Sequence, residues 1–242
     1  MQAPPNSERA DCCSPADPRI ARRFDQMSSA WADGDEFPAM VDVSGRLLDQ
    51  LLDADELRPS VLELGCGTGA LGIALLELGA SQLMGVDLSH ASIEVARRRA
   101  AAAGVAERAG FAVGDAASVP LGRHDWVILD RAVCCYRDRV RLVASAIGAA
   151  NARIAISVPE SRGWRGLVNH VVWRAENVWD LLTGGCLGYV HDLRRVEEQL
   201  AQAGFRPMSG RSGHIGHWFY GVYERLSPAT EGVATTEPSG VT

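Results

Sequence analysis

At 242 residues and 25.9 kDa, the chain is long enough for one large domain and too long for a mini-protein that needs staples. Its 47% hydrophobic and 22% charged residues exclude wholesale disorder, collagen and coiled coil. A formal net charge of −6, a pI near 5.5 and the lack of any basic block exclude the electrostatic footprint of a nucleic-acid binder, and every one of the 24 strong cations is arginine.

Met1 to Arg22 lacks the apolar core of a signal peptide, and no later run reaches the roughly 18 apolar residues of a membrane span, so a cytoplasmic chain is expected. In that compartment the six cysteines are thiols. Residues 1–16 and 227–242 carry too little periodic apolar content to fold alone and are expected to be flexible, which leaves a single domain over residues 17–226. Its first part, about 17–57, reads as a helical lid: a helix over Ala21 to Trp31, then a stripe of Leu47, Leu48, Leu51 and Leu52 on a second.

From Ser60 the pattern changes to short apolar runs alternating with helices. Strands are predicted at Val61 to Leu64, Gln82 to Val86, Ala109 to Val113, Trp126 to Leu129 and Arg153 to Val158, and helices at Ala70 to Leu78, Ala91 to Ala103 and Val140 to Ala150. That alternation predicts a doubly wound, mostly parallel α/β sheet. Ser89 reads as the N-cap of the second of these helices and Gly104 as its stop. Trp164 to Leu182 is an aromatic-rich insert of one or two helices, Asp192 to Ala203 a further helix, and Trp218 to Glu224 the last strand, preceded by Gly213 and Gly216.

The most informative stretch is Glu63-Leu64-Gly65-Cys66-Gly67-Thr68-Gly69, where a strand runs into a glycine turn and then a helix. In an open α/β sheet a ligand lies at such a turn, and glycine leaves the main chain bare to a nucleotide. Asp87 follows Gly65 by 22 residues, near the spacing of the acid that holds a ribose diol. The glycines alone fit NAD as well as a smaller adenosine ligand. Glu63 before them, and Asp115 in Gly114-Asp115-Ala116 closing the next strand, favour the smaller one. No Tyr-x-x-x-Lys exists to support a dehydrogenase.

On these residues the chain resembles the class I S-adenosylmethionine-dependent methyltransferases, most clearly from Val61 to Tyr136. The resemblance implies a seven-stranded Rossmann-like sheet and S-adenosylmethionine as cofactor. It places Glu63, Gly65, Gly67 and Gly69 at the methionine moiety, Asp87 at the ribose, Leu88 beside the adenine, Asp115 and Ala116 against its ring, and Asp130 where the acceptor enters. Rivals are an NAD-dependent oxidoreductase and a non-catalytic nucleotide-binding module of the same fold.

For the acceptor, Asp130 is followed by Arg131, Cys134, Cys135 and Tyr136, without the Asn/Asp-Pro-Pro-Tyr run of amine-methylating enzymes. Arg131 can grip a carboxylate with two prongs, and Tyr136 can orient an acceptor through its hydroxyl. The cysteine pairs Cys12-Cys13 and Cys134-Cys135 suit soft elements, so thiol or metalloid methylation stands as an alternative, although no C-x-x-C spacing predicts a metal site. Among the histidines, His191 in Gly188-Tyr189-Val190-His191 is the candidate base. That stretch and Trp218-Phe219-Tyr220 faintly resemble the magnesium-protoporphyrin methyltransferases, which implies esterification of a carboxylate. The expected acceptor is a small molecule, methylated on oxygen before sulfur; nothing predicts nucleic acid, membrane or oligomeric partners.

Overall fold

The computed structural model describes residues 18–29, 31, 37–52, 58–183 and 187–226. The two expected flexible ends, 1–16 and 227–242, and the Cys12-Cys13 pair lie outside the described residues.

Two helices precede the sheet, α1 (Pro18–Ser29) and α2 (Asp42–Leu52). The alternating part runs β1 (Ser60–Leu64), α3 (Ala70–Glu77), β2 (Gln82–Asp87), α4 (His90–Ala102), β3 (Ala109–Val113), β4 (His124–Asp130), α5 (Arg139–Ala149) and β5 (Ala150–Pro159). Then come α6 (Gly163–Thr183), α7 (Leu193–Gln202), β6 (Phe205–Ile215) and β7 (Trp218–Arg225). The insert is therefore one helix, and the strand before the last turn is an addition to the sequence reading. Its glycines hid it: Gly210 and Gly216 take left-handed conformations, and the β6–β7 register shifts between Pro207 and Ser212.

The seven strands stand in the order β3-β2-β1-β4-β5-β7-β6. All neighbouring pairs up to β5 are parallel, and β7 inserts antiparallel between β5 and β6. The order reverses between β1 and β4, which opens a crevice at their carboxyl ends.

Side chains alternate across the central strands with period two. Leu62, Leu64, Val127, Leu129, Ile154 and Ile156 enter one core with Leu142, Val143 and Ala146 of α5 and Leu193, Val196 and Leu200 of α7. Val61, Ile128 and Ala155 face the other core, shared with Leu47 and Leu51 of α2 and Leu71, Leu75 and Leu76 of α3. Between Val61 and the turn, on the α3 side, the buried position is taken by Glu63, 3% exposed. A carboxylate where the pattern demands a hydrocarbon marks the crevice as a site.

The α1 helix is fastened to the start of α4. Asp25 Oδ1 accepts from Ser89 Oγ at 2.7 Å and from the Ala91 amide at 3.0 Å, and the Ser28 and Ser92 hydroxyls meet at 2.7 Å. Ser89 also caps α4, accepting from the Ser92 amide at 3.0 Å.

Candidate active site

Gly65, Gly67 and Gly69 all have positive φ, at 74°, 50° and 73°. At Gly65 the need is steric as well: a Cβ there would stand 2.8 Å from that of Ala132, so only glycine lets the β4 exit pass this closely. Gly67 is open, with nothing within 4 Å of a built Cβ. Gly69 serves packing instead, its Cβ position facing Ile73, Ala96 and Phe111.

The turn borders a cavity of about 510 Å³. Glu63, Gly65, Gly67, Asp87, Leu88, Ala116, Asp130, Arg131 and Tyr136, all singled out from the sequence, line it. Its other walls are apolar, from Phe24 and Met27 of α1, Trp31, Met40, Trp173 of α6 and Trp218 of β7. The volume suits a nucleoside-sized ligand with room for a second molecule.

Three carboxylates converge here. Glu63 accepts from the Gly72 amide at 3.1 Å, and burial pushes its pKa well above the ordinary carboxylate value, with further upward pressure from Asp130 and Asp87. Asp87 accepts from the Gly67 amide at 2.8 Å and the Ser89 amide at 2.9 Å; burial still holds its pKa above normal. Asp130 is fixed from both sides, by the Ser44 hydroxyl at 2.5 Å and by the Ser157 hydroxyl. Carboxylates under this strain favour a cation, because a positive ligand relieves both the desolvation and the mutual repulsion. A sulfonium carrying an α-ammonium supplies two such charges. The bare turn, the ribose-spaced Asp87 and this acidic wall together fit S-adenosylmethionine.

Arg99 ties the segment before α2 to the turn. Its guanidinium donates to Thr68 Oγ1 at 3.2 Å and to the Pro38 carbonyl, and stacks over Phe37 at 5.1 Å. Arg99, Ser44 and Ser157 escaped the sequence reading, since each acts on a residue far away in the chain.

Besides Gly69, two expected residues, Asp115 and His191, do not line the cavity, and a third, Tyr136, lines it with its hydroxyl engaged. Asp115 does not line the cavity: its carboxylate accepts from the Ala117 amide at 2.9 Å and from the Ser118 and Tyr136 hydroxyls, a turn aspartate using both oxygens locally. Gly114 and Ala116 face the cavity in its stead. Tyr136 presents its ring, but its hydroxyl donates to Asp115, and burial and that carboxylate push its pKa up, so it has no free hydroxyl for an acceptor. His191 lines a smaller cavity of about 190 Å³ that shares Trp173 with the first. Its Nε2 lies 2.7 Å from the Tyr136 carbonyl, its ring stacks on Tyr189, and burial holds its pKa below the usual imidazole value.

Arg131 has a different setting. It takes φ 53°, rare for a residue with a side chain, while its amide donates to Ser157 Oγ at 2.9 Å and the Ser157 carbonyl at 3.2 Å. Those bonds hold the strained turn that brings Arg131 to the cavity, and among the described residues no carboxylate pairs with its guanidinium.

A family model described as a methyltransferase domain matches residues 61–150. The ribosomal protein L11 methyltransferase of Paraburkholderia phymatum is 29% identical over 147 residues, covering 57% of this chain and 45% of that protein. The release factor glutamine methyltransferase of Chlorobaculum tepidum is 31% identical over 42% of this chain and 41% of its own. The chain thus spans less than half the length of these curated relatives. Among solved structures, a magnesium protoporphyrin IX methyltransferase from Synechocystis with bound SAH aligns at TM-score 0.65 and 18% identity, over 86% of this chain and 98% of that one. An O-methyltransferase family protein from Burkholderia thailandensis aligns at TM-score 0.65 and 18% identity, over 89% and 64%. At that identity the likeness is one of fold. No described helix is long and apolar enough to cross a membrane. The comparisons favour the methyl donor over the dinucleotide at the glycine turn: residues 61–150 match a methyltransferase domain, on a fold shared with a methyltransferase that holds SAH.

Proposed function

We propose that the chain methylates an oxygen of a small, largely apolar molecule, and that this oxygen belongs to a carboxylate. The observation that carries the reading is Arg131, a guanidinium unpaired among the described residues and brought to the cavity by a strained turn beside the carboxylates of the donor side. An arginine so placed binds a carboxylate through two parallel hydrogen bonds and thereby aims one oxygen. The apolar wall of Phe24, Met27, Trp31, Met40, Trp173 and Trp218 suits the body of such an acid.

When bound, S-adenosylmethionine supplies an electrophilic methyl group on a positively charged sulfur. The chain's own residues hold the geometry. Gly65 and Gly67 admit the ligand against the main chain, Asp87 receives the ribose hydroxyls, and Glu63 and Asp130 face its positive charges. Leu88 and Ala116 flank the adenine. Arg131 sets the acceptor oxygen in line, and orientation of this kind is worth up to about 7 to 11 kcal/mol. An ionised carboxylate, with pKa near ~4, needs no base to attack. That agrees with Tyr136 and His191 both being committed elsewhere.

The test is incubation with methyl-labelled S-adenosylmethionine and matched apolar acceptors carrying a carboxylate, phenol, thiol or amine. The expected product is an ester, from which alkali releases the label as methanol. Label that survives alkali as an ether, thioether or amine would overturn the carboxylate reading.

A further inference from the structure

The Cys134-Cys135 pair takes no part in the methyl transfer just described, yet both thiols line the same cavity. They sit on a single short 3-10 turn, Val133–Cys135, directly after Arg131. Their sulfurs are 3.9 Å apart, and both approach the Arg131 carbonyl, at 3.1 Å from Cys134 and 3.7 Å from Cys135. Two sulfurs that share one soft ion at bonds of about 2.3 Å lie at most about 4.6 Å apart. The observed separation subtends an angle of about 115° at such an ion. A pyramidal trivalent centre, with angles below the tetrahedral value, needs the sulfurs to close by only about 0.4 Å, whereas a linear two-coordinate ion needs them to spread to about 4.6 Å. Direct oxidation of the pair to a disulfide is the poorer fit. Adjacent Cα atoms stand about 3.8 Å apart, below the roughly 4.4 Å at which ordinary disulfides begin, and the sulfurs would have to close to about 2.05 Å.

From this geometry we propose that Cys134 and Cys135 form a second ligand site in the cavity wall, a vicinal dithiol that chelates a trivalent, thiophilic metalloid carrying one further substituent of its own. Two protein ligands are what the site offers. Among the described residues no group of three or more His, Cys, Asp or Glu side chains is placed to hold a metal ion, and the Cys66 thiol turns instead to the Gly67 carbonyl at 3.7 Å. A closed four-ligand zinc site is therefore not built here. The electrostatics assist capture: the hydrogen bond from Cys134 holds the Cys135 thiol below its ordinary pKa, with Arg131 adding to the effect, so Cys135 is the first to attack. The hydrogen bond with Cys135, and then burial, push the pKa of the Cys134 thiol up, so it is the second to bond.

With an organic arsenous oxide as the probe, the step balances without redox chemistry. Two arsenic–sulfur bonds form, the arsenic–oxygen bonds break, the two thiol protons leave with that oxygen as water, and arsenic stays trivalent. This proposal is independent of which acceptor the enzyme methylates.

The full chain bearing Cys12→Ser, Cys13→Ser and Cys186→Ser is treated with phenylarsine oxide and weighed intact under non-denaturing conditions. One phenylarsenic per chain is expected, removable by 1,2-ethanedithiol. In that background Cys135→Ser, at a partly exposed position, is expected to weaken uptake at least tenfold, and Cys134→Ser likewise, with unchanged far-UV circular dichroism as the folding control. The proposal falls if no adduct forms, or if the Cys135→Ser chain takes up the arsenical as tightly as its parent. It falls equally if mild oxidation with diamide removes both thiols as a disulfide while the arsenical is refused.

Discussion

Arg131 carries two separable burdens, a strained main chain and a free charge, and substitution pulls them apart. Arg131→Gly keeps the left-handed turn at no steric cost and removes the guanidinium. Loss of a charge-assisted pair costs about 1.5 to 3 kcal/mol, so the acceptor KM is expected to rise roughly ten- to a hundredfold while cofactor affinity and melting temperature hold. Steady-state kinetics beside calorimetric titration of the cofactor checks this, and an unchanged KM removes Arg131 from acceptor binding. On the donor side the proposed complementary role falls to Asp87. Asp87→Ala loses the ribose contacts and also frees the Gly67 and Ser89 amides, so cofactor binding should weaken by roughly 1 to 3 kcal/mol. Unaltered affinity in a titration would show that the ribose is held by other groups. The place of Asp87 at the cavity was legible because it is set by spacing within one βαβ unit. His191 was not. Its neighbours in the chain suit a base, but it lines a separate cavity, walled in part by Trp173 from another element.

Among the elements, the local grammar held where strands and helices follow one another directly. The strands β1 to β5, the Ser89 cap and the Gly104 stop could be read because period, cap and stop all lie within a few residues of each other. The β6 strand has no such signal, with glycine at two positions and only Phe205 buried, and it is held in place by pairing to β7. How α1 is held was equally hidden, since Asp25 meets Ser89 across 64 positions of chain. That contact makes Ser89 a double anchor, capping α4 and receiving α1. Ser89→Ala is expected to cost about 1 kcal/mol for the cap and more for the abandoned Asp25 carboxylate, seen as a lower melting temperature. Limited proteolysis between α1 and α2 should quicken in the same variant. A chain that melts lower without faster cutting there would mean that α1 is held by its apolar contacts instead.

Across the whole molecule, the acidic wall couples folding, cofactor and pH. In the free chain Glu63 and Asp87 titrate above their unfolded values of about 4 because burial penalises their charge. Between those values the folded chain holds more protons than the unfolded one, so its stability rises as pH falls through that window. Asp125 and Glu160 run the opposite way. Hydrogen bonds from Ser60 hold Asp125 low, and bonds from Arg162 and His214 hold Glu160 low, so their stabilisation is lost only as pH drops below the ordinary carboxylate range. A bound cation reverses the first effect, since its positive charge favours the ionised Glu63 and Asp87 and expels their protons. Cofactor affinity is therefore expected to fall as pH is lowered from about 8 toward 5, and binding is expected to release protons. Calorimetric titration in buffers of different ionisation enthalpy measures that release directly. Glu63→Gln preserves shape and the contact with the Gly72 amide while removing one titrating group, so the number of protons released should drop and affinity should flatten against pH. Proton release of the same size in that variant would move the linkage to Asp87. Release of none in either chain would mean that the wall is already ionised before the cofactor arrives, and that burial alone does not govern its charge.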